Sequence, residues 1–330
     1  MWHDIIFLIL GLALLVAGAN YVTDGAVAIA RKFRVSNLII GLTVVALGST
    51  LPDMVVCIES AFHGKPAMAI GEVIGSNTFD LLLVIGVMGL VRPLRVSTVM
   101  RRQDLPILLI ASVALWVAGD TVLFDRLPHN VINRSSGIML LMIFVFYMWF
   151  MILSSRKSSD APAPQAAPSS APAAATPLLQ RQWVSWAMIA AGLGALVVGG
   201  NWVVDGAGGL ALRVGMSQGM VALTVVAIGN ALPDLVTSLT AALKGASGIA
   251  LGNIVGSCII NSLLSVGLSA LVIPLKADSI GFVDFITLVG ASALIWIVPA
   301  LSKSKTIGRL FGAILILLYA GYMAFTIVRG

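Results

Sequence analysis

The sequence predicts an all-α polytopic membrane protein, with ten transmembrane helices arranged as two inverted five-helix repeats. Three observations carry that expectation. The 330 residues are 59% hydrophobic and only 10% charged, well short of the charge that a soluble domain displays. Mean hydropathy is +1.03, and apolar windows of about 20 residues, the length a bilayer core requires of a helix, recur from one end to the other. Finally, a shift of 181 positions lays residues 201–274 on residues 20–93 without a gap.

Taken in order, the spans fall at roughly 5–30, 36–62, 66–91, 104–120, 134–154, 182–211, 216–243, 247–273, 280–301 and 307–328. The first follows "MWHD", which carries Asp4 and no basic residue. The basic leader of a secretory signal is therefore missing, and the segment reads as an uncleaved helix despite the small residues Ala17-Gly18-Ala19. Several spans exceed what a perpendicular helix needs, so tilt or a break is expected in them. Spans two and seven contain Pro52 and Pro233, each followed by an aspartate. Spans three and eight bear Gly71, Gly75, Gly252 and Gly256, small residues that let neighbouring helices approach closely. After span five comes "SSDAPAPQAAPSSAPAAATP", too poor in hydrophobic bulk to fold, which reads as a disordered linker on the inner side. The expected organisation is a first five-helix repeat at 1–154, an Ala/Pro/Ser-rich cytoplasmic linker at 155–181 and a second, inverted repeat at 182–330.

The repeat is visible residue by residue. Asn20 and Asp24 match Asn201 and Asp205; Gly48, Pro52 and Asp53 match Gly229, Pro233 and Asp234; Gly75 and Ser76 match Gly256 and Ser257; Pro93 matches Pro274. Five spans is an odd number, so the second copy enters the membrane from the opposite face. Charge agrees: "RKFRVS" becomes "LRVGMS" where the same loop would face outward. Inverted repeats of this kind typify secondary transporters, whose ion site lies near the midplane where the units meet.

The repeated stretches "ALGSTLPDMV" and "AIGNALPDLV" place oxygen chemistry at membrane depth. Pro52 and Pro233 lack an N–H, so the carbonyls of Gly48 and Gly229 lose their helical partner, and unwinding is expected at both. Irregular backbone at that depth survives only where it is buried in protein or lines a cavity. Freed carbonyls beside hydroxyls and a carboxylate suit hard cations such as Na⁺ and Ca²⁺. The next span adds Glu72, Ser76 and Asp80 at i, i+4 and i+8, one face of a helix, and Asn253, Ser257 and Asn261 repeat that spacing. A charge at the bilayer centre costs about 2.5–3.5 kcal/mol on insertion scales, yet no Lys or Arg lies deep in any span to offset Asp53, Asp80 or Asp234. A bound cation is the simplest partner.

At these residues the chain resembles a known family. "GSTLPD" with "GEVIGSNTFD", and "GNALPD" with "GNIVGSCIIN", resemble the two alpha-repeat signatures of the sodium/calcium exchangers within the cation/calcium exchanger superfamily, in their prokaryotic form. The resemblance implies an antiporter with a central group of cation sites built by the second and third helices of each half, the first helix of each half sliding across that core. It carries the motif acids to Asp53 and Asp234, the hydroxyl pair to Ser49 and Thr50, the motif serines to Ser76 and Ser257, the last motif positions to Asp80 and Asn261, and the ligating backbone carbonyls to Ala46 and Ala227. Both motif acids are aspartate where the family usually has glutamate. Asn230-Ala231 replaces a Thr-Ser pair, which leaves Asn230 as a candidate ligand or a cap on a broken helix end. Glu72 stands where asparagine is usual and reads either as an outer-vestibule charge or as an extra ligand.

The expected function is Ca²⁺/Na⁺ antiport by alternating access, with H⁺-coupled antiport as the alternative, since buried aspartates also carry protons, and a channel as a remote one. Enzyme chemistry is not expected, because neither a nucleophile–base pair nor a phosphate-binding loop is present. No cofactor is expected beyond the transported Ca²⁺ and Na⁺, and the partners expected are those ions and the lipid bilayer, with no obligate protein partner. The +6 charge reports orientation rather than nucleic acid. Asp24 and Asp205 read as interfacial or interhelix polar contacts, Glu59 as a vestibule or surface charge, and Cys57 and Cys258 as small packing residues without a disulfide.

Orientation gives the first prediction. Connections after odd-numbered spans hold 14 of the 20 Lys and Arg residues, so the positive-inside bias puts both termini outside the cytoplasm, in the plasma membrane of a bacterium. A cysteine placed at Arg126 should react with a membrane-impermeant thiol reagent in intact cells, and one placed in the Ala/Pro linker should not. The reverse pattern inverts the map.

Overall fold

The computed structural model describes residues 2–32, 46–124, 126, 128–157, 182–276, 280–301 and 305–329. Nearly all of these residues are helical. The helices are α1 (Trp2–Lys32), α2 (Ala46–Ser49), α3 (Leu51–Phe62), α4 (Pro66–Val91), α5 (Met100–Gly119), α6 (Thr121–Phe124), α7 (Arg134–Lys157), α8 (Gln182–Val214), α9 (Gln218–Leu243), α10 (Ser247–Val272), α11 (Phe282–Leu301) and α12 (Arg309–Arg329). Two-residue strands β1 (Leu94–Arg95), β2 (Val131–Ile132), β3 (Leu275–Lys276) and β4 (Thr306–Ile307) pair antiparallel as β1–β4 and β2–β3. Nine helices among the described residues are long and apolar enough to cross a membrane. The expected span 36–62 is described only from residue 46, as α2 and α3. Of the expected linker 155–181, residues 158–181 lie outside the described part, and α7 runs three residues past the expected boundary to Lys157.

Burial sorts the helices. In α4 and α10, 83% and 78% of the most apolar window is buried, against 17% in α7 and 28% in α12. α4 and α10 are thus the most buried of these helices and form the centre, with α9 (61%) next. α1 and α8, of 31 and 33 residues, are longer than a perpendicular crossing needs. They run antiparallel against each other, with Gly11 beside Gly199, Gly18 beside Gly192 and Gly25 beside Ser185. Further out, α5 meets α11 through a hydrogen bond of 2.8 Å between the Ser112 and Ser292 hydroxyls, α7 lies on α10 where Gly137 meets Gly267, and α12 lies on α4 where Gly312 meets Gly86. Each of these contacts, and each strand pair, joins the first half of the chain to the second.

Turn chemistry recurs at the 181 spacing. Gly64 (φ 68°) follows α3 and Gly245 (φ 84°) follows α9, left-handed positions that favour glycine. The N–H of Gly64 bonds the carbonyl of Ala61 and that of Lys65 the carbonyl of Ser60; Gly245 and Ala246 do the same to Ala242 and Ala241. Pro66 then starts α4 in its first turn, where a missing N–H costs nothing.

The two prolines, expected to unwind both helices, act differently. Pro52 sits in the first turn of α3, and the chain breaks at Thr50, which lies in a turn between α2 and α3. α9 instead stays helical through Pro233. Its ladder is loosened two turns earlier by a π-helical segment, Ala222–Val226, a local widening of the kind that lets membrane helices tolerate proline. Matching π segments occur in α4 (Phe79–Val84) and α10 (Asn261–Ser265).

The approach to backbone is tightest where α4 crosses the start of α9. A Cβ on Gly71 would lie 2.5 Å from the carbonyl oxygen of Gly219, and one on Gly75 would strike the backbone of Leu223. Gly252 and Gly256 have no described atom within 4 Å of such a Cβ; the residues that the 181 spacing would set against them, 38–42, lie outside the described part. Because the obstruction is backbone, it cannot be relieved by a rotamer change. Gly71→Ala and Gly75→Ala should each destabilise the protein by about 1–3 kcal/mol, read as a lower melting temperature and a smaller monodisperse fraction in detergent. Gly194→Ala, at an exposed position with open space beside it, is the control and should behave as wild type.

Candidate functional site

The buried acids of α3, α4 and α9 gather between α4 and α10. Asp53, in the first turn of α3, is 6% exposed and accepts a hydrogen bond from Nδ2 of Asn261. Asn261 opens the π segment of α10, is fully buried, and receives a bond of 3.4 Å from the Ser265 hydroxyl on its Oδ1. Asp234, the residue after Pro233, accepts from Nδ2 of Asn253 at 3.1 Å, and the same amide reaches the Ser238 hydroxyl at 3.2 Å. Glu72 on α4 is fully buried, and its Oε1 accepts from Nδ2 of Asn230 at 3.0 Å. Asp80 lies in the π segment of α4, 2% exposed. Asp53 is near enough to Glu72, and Asp80 to Asp53 and Asp234, for their charges to act on one another. All four acids therefore belong to one cluster.

The donors nearby are amides, not cations. The ion pairs of the described residues lie elsewhere, at Lys65–Asp205 (3.5 Å), Arg213–Asp4 (2.7 Å) and Arg329–Asp284 (2.9 Å). Several buried oxygens of the cluster and its surroundings have no hydrogen-bond partner: Oε2 of Glu72, Oδ1 of Asp80, Asn77 and Asn230, and the hydroxyls of Thr78 and Ser257. Buried polar atoms are nearly always satisfied, so a group of unmatched oxygens in one place is a chemical signature. Oxygens short of donors suit a hard cation, which offers positive charge without a fixed bond direction. Among the described residues, no three His, Cys, Asp or Glu groups converge tightly enough to hold a metal by themselves. Any cation here would need the neutral oxygens as well.

The remaining expected ligands lie on α2, the turn after it, α4, α9 and α10. Ser76 is buried on the face it shares with Glu72, and its hydroxyl bonds the carbonyl of Val73 at 3.3 Å. The hydroxyl of Thr50 is turned back to the carbonyl of Leu47 at 3.0 Å. Ala227 is buried beside Gly75, and the Ala46 backbone is the first turn of α2. The side chains of Ala46 and Ser49 lie outside the described part. Asn77, not singled out by sequence reasoning, ties α4 to α10: its Nδ2 donates to the Cys258 carbonyl at 3.2 Å and to the Ser262 hydroxyl at 2.9 Å. Glu72, for which the sequence allows either an outer-vestibule charge or an extra ligand, is fully buried, which does not fit a vestibule charge. Its shared face with Ser76 and Asp80 was the available signal. Cys57 and Cys258 are buried free thiols.

Comparison with known proteins agrees with this architecture. The family pattern described as sodium/calcium exchanger protein matches residues 3–153 and 184–328. The putative antiporter CaxA of Alkalimonas amylolytica is 32% identical, over 96% of this chain and 96% of its own. The inner membrane protein YrbG of Escherichia coli is also 32% identical, over 93% and 92%. The sodium/calcium exchanger MaX1 of Methanosarcina acetivorans is 27% identical over 97% of each chain. Among solved structures, the sodium-calcium exchanger NCX_Mj, soaked with Na⁺ and Sr²⁺, superimposes with a TM-score of 0.62 at 28% identity, covering 98% of both chains. With the family pattern matching both halves of its length and relatives covering nearly all of it, the chain belongs to the sodium/calcium exchanger family of membrane transporters.

Proposed function

We propose that the protein is a secondary-active antiporter that exchanges Ca²⁺ for Na⁺ by alternating access, with Asp53, Asp234, Asp80, Asn261, Ser49, Thr50, Ser76, Ser257, Asn230 and the carbonyls of Ala46 and Ala227 forming the transport site. The observation that carries this reading is the cluster of buried carboxyls and unmatched oxygens with amide donors and no basic side chain among them. Ca²⁺ takes six to eight oxygens from just such a mixture of carboxylates, carbonyls and amides, and Na⁺ accepts the same chemistry. The 181-residue correspondence supports two inverted repeats, at 1–154 and 182–330, in a bacterial inner membrane with both termini outside. Repeats so arranged give one site two equivalent exits, which a channel does not need. The test is ⁴⁵Ca²⁺ uptake into proteoliposomes under an outward Na⁺ gradient, repeated under a pH gradient alone. Uptake driven only by the pH gradient assigns H⁺ as the coupling ion.

Asp53 and Asp234 stand at matched positions and are proposed to share the divalent ion. Removing the charge of one partner in a buried ionic contact costs about 3–5 kcal/mol, more than a hundredfold in affinity by the usual conversion of about 1.4 kcal/mol per tenfold. Asp53→Asn and Asp234→Asn should therefore yield folded protein whose Ca²⁺ uptake falls to background. Near-normal uptake by either removes it from the site.

Asp80 and Asn261 hold matched places, with a charge in one and a neutral amide in the other. Asp80→Asn should strongly impair exchange, and Asn261→Asp should slow ion release by adding negative charge next to Asp53. The double variant restores the total charge with the two groups exchanged. It should recover much of the rate lost in Asp80→Asn, a non-additivity expected of residues in one network. A double variant no faster than Asp80→Asn separates the two roles.

A further inference from the structure

Resting on the antiporter reading, we infer that Glu72 is a further anionic ligand of the transported cation, and that it sets the preference for the divalent over the monovalent ion. Glu72 is fully buried on α4, one turn before Ser76 and two before Asp80, and near enough to Asp53 for the two charges to act on one another. Only one of its oxygens is occupied: Oε1 takes the Asn230 amide at 3.0 Å, while Oε2 has no partner. A carboxylate used only to brace α4 against α9 would need no more than that single acceptor, and a glutamine would supply it without bringing charge into the membrane. The matched position in the second half is Asn253, which is itself a donor to Asp234. Where one half places an amide, the other places a fourth acid.

Physics separates a ligand from a brace. Attraction between an ion and a fixed charge is proportional to the ion's charge. Loss of one ligand charge therefore weakens a divalent ion by roughly the square of the factor that it costs a monovalent one. A brace lost or kept affects both ions alike, because it acts through the shape of the site.

The experiment compares purified wild type, Glu72→Gln and Glu72→Asp, each first checked for a monodisperse elution profile. Equilibrium ⁴⁵Ca²⁺ binding and its displacement by Na⁺ are measured in detergent, followed by Na⁺-driven ⁴⁵Ca²⁺ exchange in proteoliposomes with Asp53→Asn as the inactive reference. Glu72→Gln retains the acceptor for Asn230. It should weaken Na⁺ by about tenfold and Ca²⁺ by about a hundredfold, so that selectivity falls, and Glu72→Asp should restore most of the Ca²⁺ binding. Equal losses for the two ions, or wild-type binding by Glu72→Gln, overturn the inference. If Asp53→Asn is inactive while Glu72→Gln exchanges and binds as wild type, the antiporter reading stands and the role of Glu72 falls. If the wild type binds Ca²⁺ but does not exchange it for Na⁺, the coupling reading falls and the binding ratio still decides Glu72. If the wild type binds no Ca²⁺, both fall.

Discussion

Four carboxyl groups inside a membrane protein, with no basic side chain among the described residues to answer them, are the constraint from which the rest of this architecture follows. Asp53, Glu72, Asp80 and Asp234 are all buried, and hydrocarbon offers them nothing. Three find a donor in an asparagine amide, and each amide dictates a packing contact. Asn261 holds α10 against α3, Asn230 holds α9 against α4, and Asn253 holds α10 against α9. The glycines obey the same demand. Without Gly71 and Gly75 the start of α9 could not lie directly on α4, and Asn230, two turns further along, could not reach Glu72. The outer helices then serve to keep lipid away from a centre that lipid cannot solvate.

Much of this was legible in the sequence, for reasons that are local or periodic. Span positions follow from composition, the centre from glycine spacing, and the shared face of Glu72, Ser76 and Asp80 from helical geometry. The left-handed turns at Gly64 and Gly245 recur because the same turn chemistry recurs. What could not be read is which donor Asp53 and Glu72 take, since each depends on a helix more than a hundred residues away. The unequal fate of the two prolines was hidden for a related reason. Whether a proline breaks a helix or rides in it depends on relief elsewhere, and α9 finds that relief in a π segment that leaves no mark in composition. The bidentate bond of Arg329 to fully buried Asp284, joined by the Tyr322 hydroxyl, was equally invisible, although it fastens the end of α12 to α11.

The two halves share elements and turns but not chemistry. The first contributes three of the four acids, Asp53, Glu72 and Asp80; the second contributes Asp234 and the amides of Asn230, Asn253 and Asn261. The first half supplies most of the acids and the second most of the amides that answer them, although Asn77 of the first half donates into α10 and Asp234 is answered within its own half. The first half alone would leave Asp53 and Glu72 without their amide donors. The strand pairs β1–β4 and β2–β3 repeat the same dependence at the helix ends.

That division has a consequence in time. A chain is made from its N-terminus, at about 5–20 residues per second. The amide that Asp53 accepts lies 208 residues downstream, and the one that Glu72 accepts lies 158 downstream. For something like ten to forty seconds of synthesis at that pace, the first-half acids have already left the ribosome while their donors have not been made. They must wait beside the insertion machinery with water for company, and α3 and α4 cannot settle into lipid until α9 and α10 arrive. The centre of the finished molecule is the last part of it that can close.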